Sequence, residues 1–376
     1  MKHTYLIKPL FLFIILLSAF TVKAQQSEDL LNLLIQKKII TQQEADSIRS
    51  ENAIKEQKKK DDQKVYTLSI GKALNLTGLF QERYQAFQGT SGIDGFDTRR
   101  ARLDFKGAIT SQWDYELYIE FAGTPALLDG YTTYKLTDYA KISVGQFKIP
   151  FSYESLVSDS QLELLDRSQV EEALTARAKD VLGNQNGRDI GAQISGSFVK
   201  LNDSYLFDYT FGVFNGNGIN RADNNMDKDV SGRFTVHPIT NLAVSYDFYH
   251  GRDIYGAITT TQLRNRQGFD ARYVLGPLSL TAEYDKGTDA AIKRDGWYAQ
   301  AAYFIFPKKL QVVGKYDTYD PNKDIATDRS TWYLGGINYF FNSWTKLYFD
   351  YSYRREEVPT AQVKNNLLAV ELQVQF

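Results

Sequence analysis

The residue types best suited to a specific chemistry lie together in residues 96–107, which contain Arg99, Arg100, Arg102 and Lys106. A guanidinium group presents fixed, forked donors to a phosphate and stays charged at any working pH. These side chains could therefore bind or guide small anions. The alternative is that they pair with acidic side chains and only stiffen the protein.

Catalytic chemistry has little support in the sequence. Only two histidines, His237 and His250, follow the N-terminal apolar stretch, and neither lies in a nucleophile motif, so no catalytic triad is predicted. Gly216 and Gly218 do not begin a dinucleotide fingerprint, because no third glycine and no helix follow them. We predict that the protein is not an enzyme and uses no cofactor.

One acidic run is similar to the start of a calcium loop. Asp223, Asn225, Asp227 and Asp229 alternate along the chain, but Lys228 stands where such a loop requires glycine, and no glutamate closes it. We predict that these residues form a solvated extracellular loop and that the protein has no metal site.

The N-terminus has the features of a secretory signal. Lys2 and Lys8 precede an apolar stretch that ends near Phe20, and small residues follow as far as Ala24. We predict a signal peptide over residues 1–24, cleaved on export. The chain has no cysteine, so a disulfide framework and a lipid anchor on cysteine are both excluded.

The composition narrows the fold class. After the signal, no stretch reaches the 18 or so apolar residues that a membrane-spanning helix needs. Cleavage would remove three of the 44 basic residues and none of the 45 acidic ones, giving a formal charge of −4 that argues against nucleic-acid binding. The chain nevertheless has 25 Tyr and 23 Phe in a polar background, which is typical of barrels with one face in lipid and one in water.

From Leu74 onward, segments of about ten residues alternate apolar and polar side chains, which is the period of strands with two different faces. We predict an all-β fold, a transmembrane antiparallel β-barrel of about sixteen strands that occupies residues 65–376. The predicted strands begin near residues 74, 96, 112, 128, 140, 188, 204, 229, 242, 267, 278, 296, 310, 330, 346 and 366.

The connections between these strands alternate in length. Short ones are predicted near residues 110, 138, 202, 239, 276, 307 and 342. Long ones are predicted at 88–95, 122–127, 149–187, 215–228, 251–266, 286–295, 318–329 and 355–366. Outer-membrane barrels have short periplasmic turns and longer extracellular loops, so we predict that both ends of the barrel lie in the periplasm.

Residues 25–64 are polar and are predicted to form a short helical periplasmic segment. Leucines at positions 30, 31, 33 and 34 give an apolar stripe, and residues 41–44 match a capping box for a second helix. The stripe is too short for a coiled coil, so we interpret the segment as a linker. Subunit association through the stripe is the alternative.

Four motifs occur in a fixed order along the predicted barrel: Arg-Arg-Ala-Arg-Leu at 99–103, Gly-Gln-Phe-Lys-Ile-Pro-Phe at 145–151, Asp-Arg-Ser at 166–168 and Gly-Arg-Asp-Ile-Gly at 187–191. They resemble the phosphate-selective porin O and P family. The resemblance implies a homotrimer of sixteen-stranded barrels in the outer membrane of a Gram-negative bacterium, each with its own pore and with anion passage along basic side chains.

The resemblance makes Arg99, Arg100, Arg102 and Lys106 the candidate anion-binding residues of the pore. Strand parity places Arg100, Arg102 and Lys106 toward the lumen, whereas strict counting places Arg99 toward lipid. A charge that faces lipid is tolerable near the interface, and a β-bulge could also turn Arg99 inward. The terminal residue, Phe376, looks like the signal read by the barrel-assembly machinery.

The longest connection, residues 149–187, is implied by the resemblance to fold into the barrel and narrow the pore. Residues 161–178 could be helical, and an extracellular cap that never reaches the lumen is the alternative. Its candidate constriction residues are Glu154, Asp166, Arg167, Arg177 and Lys179.

The predicted lumen is acidic on average, which disagrees with an arginine-lined wall. Selectivity follows the charge at the constriction more than the average, so anion preference depends on one cluster. We predict a porin for passive diffusion of small solutes, with anions such as phosphate favoured; a general or cation-preferring pore, a barrel enzyme and a plugged structural barrel are the alternatives. The inward-phase bases are Arg83, Arg100, Arg102, Lys106, Lys135, Arg233, Arg272, Lys315, Lys346 and Arg354, and the inward-phase acids are Asp104, Asp114, Glu116, Glu120, Asp129, Asp189, Asp208, Asp229, Asp247, Asp270, Glu283, Asp285, Asp317, Asp350 and Glu371.

Overall fold

The computed structural model describes residues 33–37, 39, 41, 45, 68–70, 72–89, 92–201, 204–357 and 362–376. The chain divides into two compact units, residues 1–65 and residues 66–376. In the first unit, residues 33–36 are helical, and the Lys37 N–H donates to the Leu33 carbonyl at 2.9 Å. The predicted signal peptide and most of the predicted linker lie outside the described residues.

The second unit is built from strands whose two faces differ, as the alternation of apolar and polar side chains predicts. Among the described residues no helix is long and apolar enough to span a membrane. The strands are β1 Leu68–Ile70, β2 Leu74–Phe87, β3 Gly95–Ala108, β4 Trp113–Glu120, β5 Ala126–Thr137, β6 Ala140–Lys148, β7 Arg188–Leu201, β8 Ser204–Phe214, β9 Asp229–Val236, β10 Leu242–Asp253, β11 Gln262–Leu275, β12 Leu278–Asp289, β13 Ile292–Phe306, β14 Leu310–Asp320, β15 Ser330–Phe340, β16 Thr345–Glu356 and β17 Leu367–Gln375.

The strands from β2 to β17 close into one antiparallel barrel of sixteen strands. Each pairs with the next in sequence, and β17 returns to β2 in a register that places Val370 opposite Tyr84. The short β1 pairs with the start of β2, with Leu68 opposite Leu76. Closure pairs both edges of the sheet, which is the arrangement that lets strands cross a membrane. The predicted fold class is confirmed.

One predicted connection is wrong. Residues 286–295 were expected to form a long loop, but β12 and β13 continue through them, with Lys286 opposite Asp295 and Thr288 opposite Lys293. Only Ala290 and Ala291 connect the two strands. The polar residues show where the chain leaves the lipid. They do not end the strands, because backbone hydrogen bonds between strands can continue in water.

Large apolar side chains such as Phe80, Leu117 and Val144 are exposed on the outer face, where lipid would cover them. In the second unit, clusters of buried apolar residues lie inside the barrel, where the long connection 149–187 meets the wall. This connection contains two short helices, α1 Tyr153–Leu156 and α2 Gln169–Leu174, with a 3₁₀ turn at Asp159–Gln161 between them.

Candidate functional site

The connection 149–187, here called the lumen loop, contacts inward-facing side chains of strands around the barrel. Leu164 packs against Ala302, Val313 and Leu334 of three neighbouring strands. Each buried leucine of this kind stabilises the packed state by roughly 1.5–3 kcal/mol. Leu165 packs against Tyr348, Leu367 and Ala369, and Val170, Ala173 and Leu174 pack with Tyr319.

The loop is helical over a shorter stretch than residues 161–178. Helix α2 begins after Ser168, whose hydroxyl accepts from the Glu171 N–H, and it ends at Leu174, with Thr175 as its C-cap. Ala176 follows with a φ of 54°, a left-handed conformation that cannot continue a helix. Outside its two short helices and the 3₁₀ turn the loop has no regular secondary structure, so many of its backbone N–H groups need other partners.

Carboxylates of the barrel wall supply several of those partners. Asp247 on β10 accepts from the Ser152 N–H at 3.0 Å, and Glu283 on β12 accepts from Tyr153 and Glu154 at 2.8 and 3.1 Å. These N–H groups belong to the start of α1, where unpaired donors favour an anion.

The next two alternate strands continue this pattern further along the loop. Asp317 on β14 accepts from the Gln169 N–H at 2.9 Å, which is the first turn of α2. Asp350 on β16 accepts from the Leu165 N–H at 2.6 Å. One buried carboxylate on each of β10, β12, β14 and β16 therefore holds the loop against the wall through charge-assisted hydrogen bonds. We call Asp247, Glu283, Asp317 and Asp350 the anchor carboxylates.

The sequence motif at 145–151 forms the base of the lumen loop. Gly145 has a φ of 136°, and a Cβ there would lie 2.2 Å from the Gly130 carbonyl oxygen, so only glycine fits. The side-chain amide of Gln146 donates to the carbonyls of Leu127 and Leu128 at 2.7 and 2.8 Å. The motif thus fixes how β6 meets β5 at the point where the loop begins.

The next two motif residues hold the first turn of the loop. The Phe147 ring packs edge-on against Tyr131 and Phe214, with centroids 5.6 and 5.7 Å apart. The Lys148 ammonium donates to three carbonyls at the end of α1, in residues 155–157, at 2.7 to 3.1 Å. A cation at a helix C-terminus satisfies the carbonyls that the helix itself leaves unpaired.

Arg99 lies at a β-bulge. The register between β2 and β3 shifts there, because Gln81 is opposite Arg100 whereas Glu82 is opposite Thr98. The extra residue turns Arg99 into the barrel, where its guanidinium donates to Asp166 at 3.0 Å and to Glu371 at 3.2 Å. Strict parity, which placed Arg99 toward lipid, is therefore wrong at this position.

Arg100, Arg102 and Arg167 converge on the carboxylate of Asp159, and we call these four residues the Asp159 cluster. Arg100 reaches Asp159 at 3.2 Å, and Arg102 and Arg167 form shorter ion pairs with it. Arg102 also donates to Glu120 at 2.5 Å. Arg100 and Arg102 come from the wall, whereas Arg167 and Asp159 come from the loop, so the cluster joins the two.

The charge around Asp159 sets its protonation. Burial by itself would raise the pKa of the Asp159 carboxyl, but Arg100, Arg167 and Arg102 outweigh burial and hold that pKa well below its usual range. Asp166 behaves in the same way, because Arg99 and Arg83 lower its pKa against the effect of burial. Both loop carboxylates are therefore ionised at neutral pH.

Two other candidate residues of the loop hold its own fold. The Glu154 carboxylate accepts from the Lys315 ammonium at 2.5 Å and from the Ser168 N–H at 2.7 Å. Arg177 pairs closely with Glu171. All five side chains of these contacts are buried, so they position the loop and do not face a permeating ion.

Lys106 and Lys179 remain open to solvent. The Lys106 ammonium donates to Asp104 at 2.7 Å near the end of β3 that leads into the short connection to β4. Lys179 lies over the Trp332 ring, 4.7 Å from its centroid. The structure thus brings Arg99, Arg100, Arg102, Asp166 and Arg167 together in one region. Arg177 adjoins this region because it shares the Glu171 carboxylate with Arg167, whereas Lys106 and Lys179 form no ion pair with it.

Burial changes the charge balance of the lumen. Of the ten inward-phase bases, three are buried, namely Arg102, Lys315 and Lys346. Of the fifteen acids, only four are not buried, namely Asp114, Glu116, Glu120 and Asp208. Among these predicted residues the accessible ones are therefore seven bases and four acids, so this set is not acidic once burial is taken into account. The loop offsets part of this excess, because its accessible charges are Glu163, Asp166, Glu172 and Lys179.

Sequence reasoning missed the anchor carboxylates because it counted them as charges that face water. All four are at most 5% exposed. One signal was present in the sequence: an inward-phase acid occurs near the middle of each of four alternate strands that follow the long loop.

The described histidines do not form a triad. His237 Nε2 lies 2.7 Å from Asp208 Oδ2, and the Ser197 hydroxyl donates to Asp208 Oδ1 at 2.6 Å. The aspartate thus lies between serine and histidine, whereas activation of a serine requires the histidine in that place. His250 is exposed on the outer face of β10.

The expectation of a solvated loop fails at Asp229. Asp223 does pair with Lys228 at 2.5 Å in the connection after β8. Asp229, however, is the first residue of β9 and is fully buried, where it accepts from the Tyr249 hydroxyl and from the Arg252 N–H. An acid at the end of a strand can face the barrel interior. The regular alternation of acids over residues 223–229 gives no sign of where the solvated connection ends and the buried strand begins.

Phe376 extends the seam of the barrel, which is the pairing of β17 with β2. Its N–H donates to the Gly78 carbonyl at 3.0 Å, and its carbonyl accepts from the Gly78 N–H at 2.8 Å. A Cβ on Gly78 would lie 2.3 Å from the Phe376 ring, so the ring covers that glycine.

Comparisons with known proteins agree on the fold. An anion-selective porin from Comamonas acidovorans is 15% identical with a TM-score of 0.60, over 81% of this chain and 99% of that chain. Vibrio cholerae OmpT is 14% identical with a TM-score of 0.58, over 83% and 100%. The outer membrane channel DcaP of Acinetobacter baumannii is 12% identical with a TM-score of 0.57, over 83% and 100%. At these identities the likeness shows the fold alone.

The search of curated proteins gives no match. The model of the family described as phosphate-selective porin O and P matches residues 74–376, which is the whole barrel from β2 onward. The motifs in that range hold the lumen loop and its arginines in place. The chain therefore belongs to the phosphate-selective porin O and P family.

Proposed function

We propose that this outer-membrane porin lets small solutes diffuse passively and favours small anions, among them phosphate. The observation that carries the proposal is the accessible charge among the predicted lumenal residues, seven bases against four acids, since the other predicted acids are buried. A lumen lined in this way attracts anions and repels cations.

We assign this preference for anions to the partly exposed arginines Arg99 and Arg100. Arg99 and Arg100 have 14% and 12% of their side chains exposed, beside the loop that occupies part of the lumen. Their guanidinium groups share carboxylates and do not lie in one-to-one pairs: three arginines meet at Asp159. The Asp159 cluster thus has a formal excess of positive charge, although Glu120 compensates part of it through Arg102 and Glu171 another part through Arg167.

The test is inhibition of chloride current by phosphate. Purified protein in a planar bilayer should conduct chloride, and added phosphate should reduce that current, because a doubly charged anion is held longer by the arginines. Sulfate serves as a control for charge alone. A chloride current that phosphate leaves unchanged would contradict a preference for phosphate, and a general diffusion pore would then explain the channel better.

A barrel enzyme is the candidate of a different class, and no contact among the described residues favours it. We propose a channel because the arginines and the anchor carboxylates inside the barrel are engaged in ion pairs and in hydrogen bonds with the loop. Ester and peptide substrates should remain intact in the presence of purified protein.

The proposal includes export through a cleaved signal peptide, insertion by the barrel-assembly machinery among outer-membrane lipids, and assembly into a homotrimer. One structure of Vibrio cholerae OmpT is described as a trimer form, which supports trimers for this fold. Mass measurement of the protein in detergent tests the trimer, and the N-terminal sequence of the mature protein tests cleavage after Ala24.

A further inference from the structure

Three carboxylates meet inside the barrel where the lumen loop leaves the wall, and a fourth lies beside them. Asp247, Asp270 and Glu283 each offer an oxygen, and these oxygens lie within 4.8 Å of one another. All three side chains are at least nine-tenths buried. The spacing matches that of ligands around one cation, because two oxygens that each lie 2.3–2.6 Å from Ca²⁺ are at most about 5 Å apart.

The strand register brings a fourth carboxylate, that of Asp285, next to this group. Asp247, Gly268 and Asp285 are opposite one another across β10, β11 and β12, and Asp285 follows Glu283 by two residues on the same face. Gly268 has no side chain to separate its neighbours. Asp285 Oδ1 lies 2.4 Å from the position of a Cβ on Gly268, so this carboxylate leans over the glycine toward Asp247.

The protein's own donors leave Asp285 and part of Asp247 without partners. Asp285 is fully buried, and neither of its carboxylate oxygens has a hydrogen-bond partner among the described residues. Asp247 Oδ1 also has none. A buried carboxylate without a partner is costly, so this observation points to a ligand that the four residues share.

The other charged groups nearby do not balance the four acids. Arg233 donates to Asp270 at 2.7 and 3.0 Å and to Asp247 at 2.5 Å. Arg272 lies on the same face of β11 as Asp270 and is partly exposed. Lys315 pairs with Glu154 instead. Even with Arg233 counted, the four carboxylates have three formal negative charges in excess.

We propose that Asp247, Asp270, Glu283 and Asp285 bind one hard divalent cation, of the class of Ca²⁺ or Mg²⁺. Carboxylate oxygens are the ligands that these ions prefer. Asp247 and Glu283 are also anchor carboxylates, and they hold the N–H groups of residues 152–154. The cation therefore fixes the start of the lumen loop to the wall, and it does so whichever ions the pore prefers.

The first test measures binding directly. Folded protein, freed of lipopolysaccharide and treated with a chelator, is titrated with CaCl₂ and separately with MgCl₂ in a calorimeter. We expect one saturable site per chain. Asp285→Asn keeps the shape of the side chain and should weaken binding at least tenfold, whereas Asp114→Asn, which changes an exposed lumenal acid, should leave the affinity unchanged.

A second measurement protects the test against a variant that fails to fold. The Tyr298 hydroxyl donates to Glu283 at 2.9 Å, so a tyrosine ring lies beside the site. Terbium added to the wild-type protein should give tyrosine-sensitised emission that Ca²⁺ removes. Addition of Ca²⁺ should also raise the unfolding temperature of the wild-type protein and not that of Asp285→Asn.

Two results would overturn the proposal. One is the lack of saturable binding by the wild-type protein together with no sensitised terbium emission, which would mean that the carboxyl groups are neutralised by protons. The other is an equal loss of affinity in Asp114→Asn and Asp285→Asn, which would mean that the ion binds diffusely to lumenal acids. Neither result bears on the chloride and phosphate currents that test the proposed function.

Discussion

Replacing Asp159 with asparagine separates the two functions of the Asp159 cluster, since it removes the central negative charge and leaves all three arginines in place. Asparagine has nearly the same shape and keeps one acceptor oxygen. The guanidinium groups of Arg100, Arg102 and Arg167 then share no ionised carboxylate. We expect the anion preference of the pore to rise.

The size of the effect follows from the geometry. The partly exposed Arg100 lies 3.2 Å from Asp159, and an ion that touches its guanidinium group is about 4 Å further away. A unit charge at about 7 Å changes the energy of an ion by about 0.6 kcal/mol in water, and screening at about 0.1 M salt halves this. Anions and cations respond in opposite directions, so the anion-to-cation permeability ratio should rise roughly threefold.

The assay is the zero-current potential of single channels in a salt gradient, compared between the wild-type protein and Asp159→Asn. Asp223→Asn is the matched control, because it removes a carboxylate from the exposed ion pair with Lys228 and leaves the Asp159 cluster intact. Breaking a buried ion network costs about 3–5 kcal/mol, so the variant should also unfold at a lower temperature. A permeability ratio that falls or does not change in a folded Asp159→Asn channel would refute the reasoning.

Three further predictions follow from the described contacts. Gly145→Ala should reduce the amount of assembled barrel, seen as the heat-modifiable band on gels, because a Cβ there would lie 2.2 Å from the Gly130 carbonyl; Gly314→Ala, where a Cβ meets nothing within 4 Å, should assemble normally. Deletion of Phe376 should lower assembly and leave export intact, and normal assembly would show that neither the seam nor the signal needs it. Acid should weaken the attachment of the lumen loop to the wall. The folded-state pKa of Asp159 is depressed, so the stability that its ionised carboxylate contributes is complete above the unfolded-state pKa of about 3.9 and is lost as the pH falls below that value. The unfolding temperature of Asp159→Asn should therefore depend less on pH in that range than that of the wild-type protein.

The strands were predictable because the two different environments on either side of the barrel wall impose a regular pattern on the sequence. Each strand meets lipid on one face and water or the loop on the other, so side chains alternate with a period of two. Nine of the sixteen predicted starts agree with the structure to the residue, for example those of β2 and β10. The largest errors, at β11 and β13, occur where the strands extend beyond the lipid and the apolar signal ends.

The orientation of Arg99 could not be settled from the sequence. An arginine at the interface is tolerated on either face, and a bulge requires only one extra residue in the strand. The contacts that show the direction are with Asp166 in the lumen loop and with Glu371 on β17, both far away in sequence.

The anchor carboxylates escaped prediction for a related reason. Alternation shows which face of a strand is inward, but it does not show whether water or protein covers an inward residue. Asp317 and Asp114 both lie at inward-facing positions of their strands, yet Asp317 is fully buried beneath α2 and Asp114 is open to solvent. Asp317 accepts a hydrogen bond from the backbone N–H of Gln169. Every residue except proline has such a group, so the sequence does not identify the partner.

The central claim is that most of the predicted lumenal acids are buried, so that bases outnumber acids among the accessible ones and the pore favours anions. The most direct test is the sign of the zero-current potential of the purified wild-type protein in a gradient of potassium chloride across a planar bilayer. The sign should be that of a channel more permeable to chloride than to potassium. A potential of the opposite sign would show that the buried carboxylates still dominate the path of the ions, and it would contradict the account.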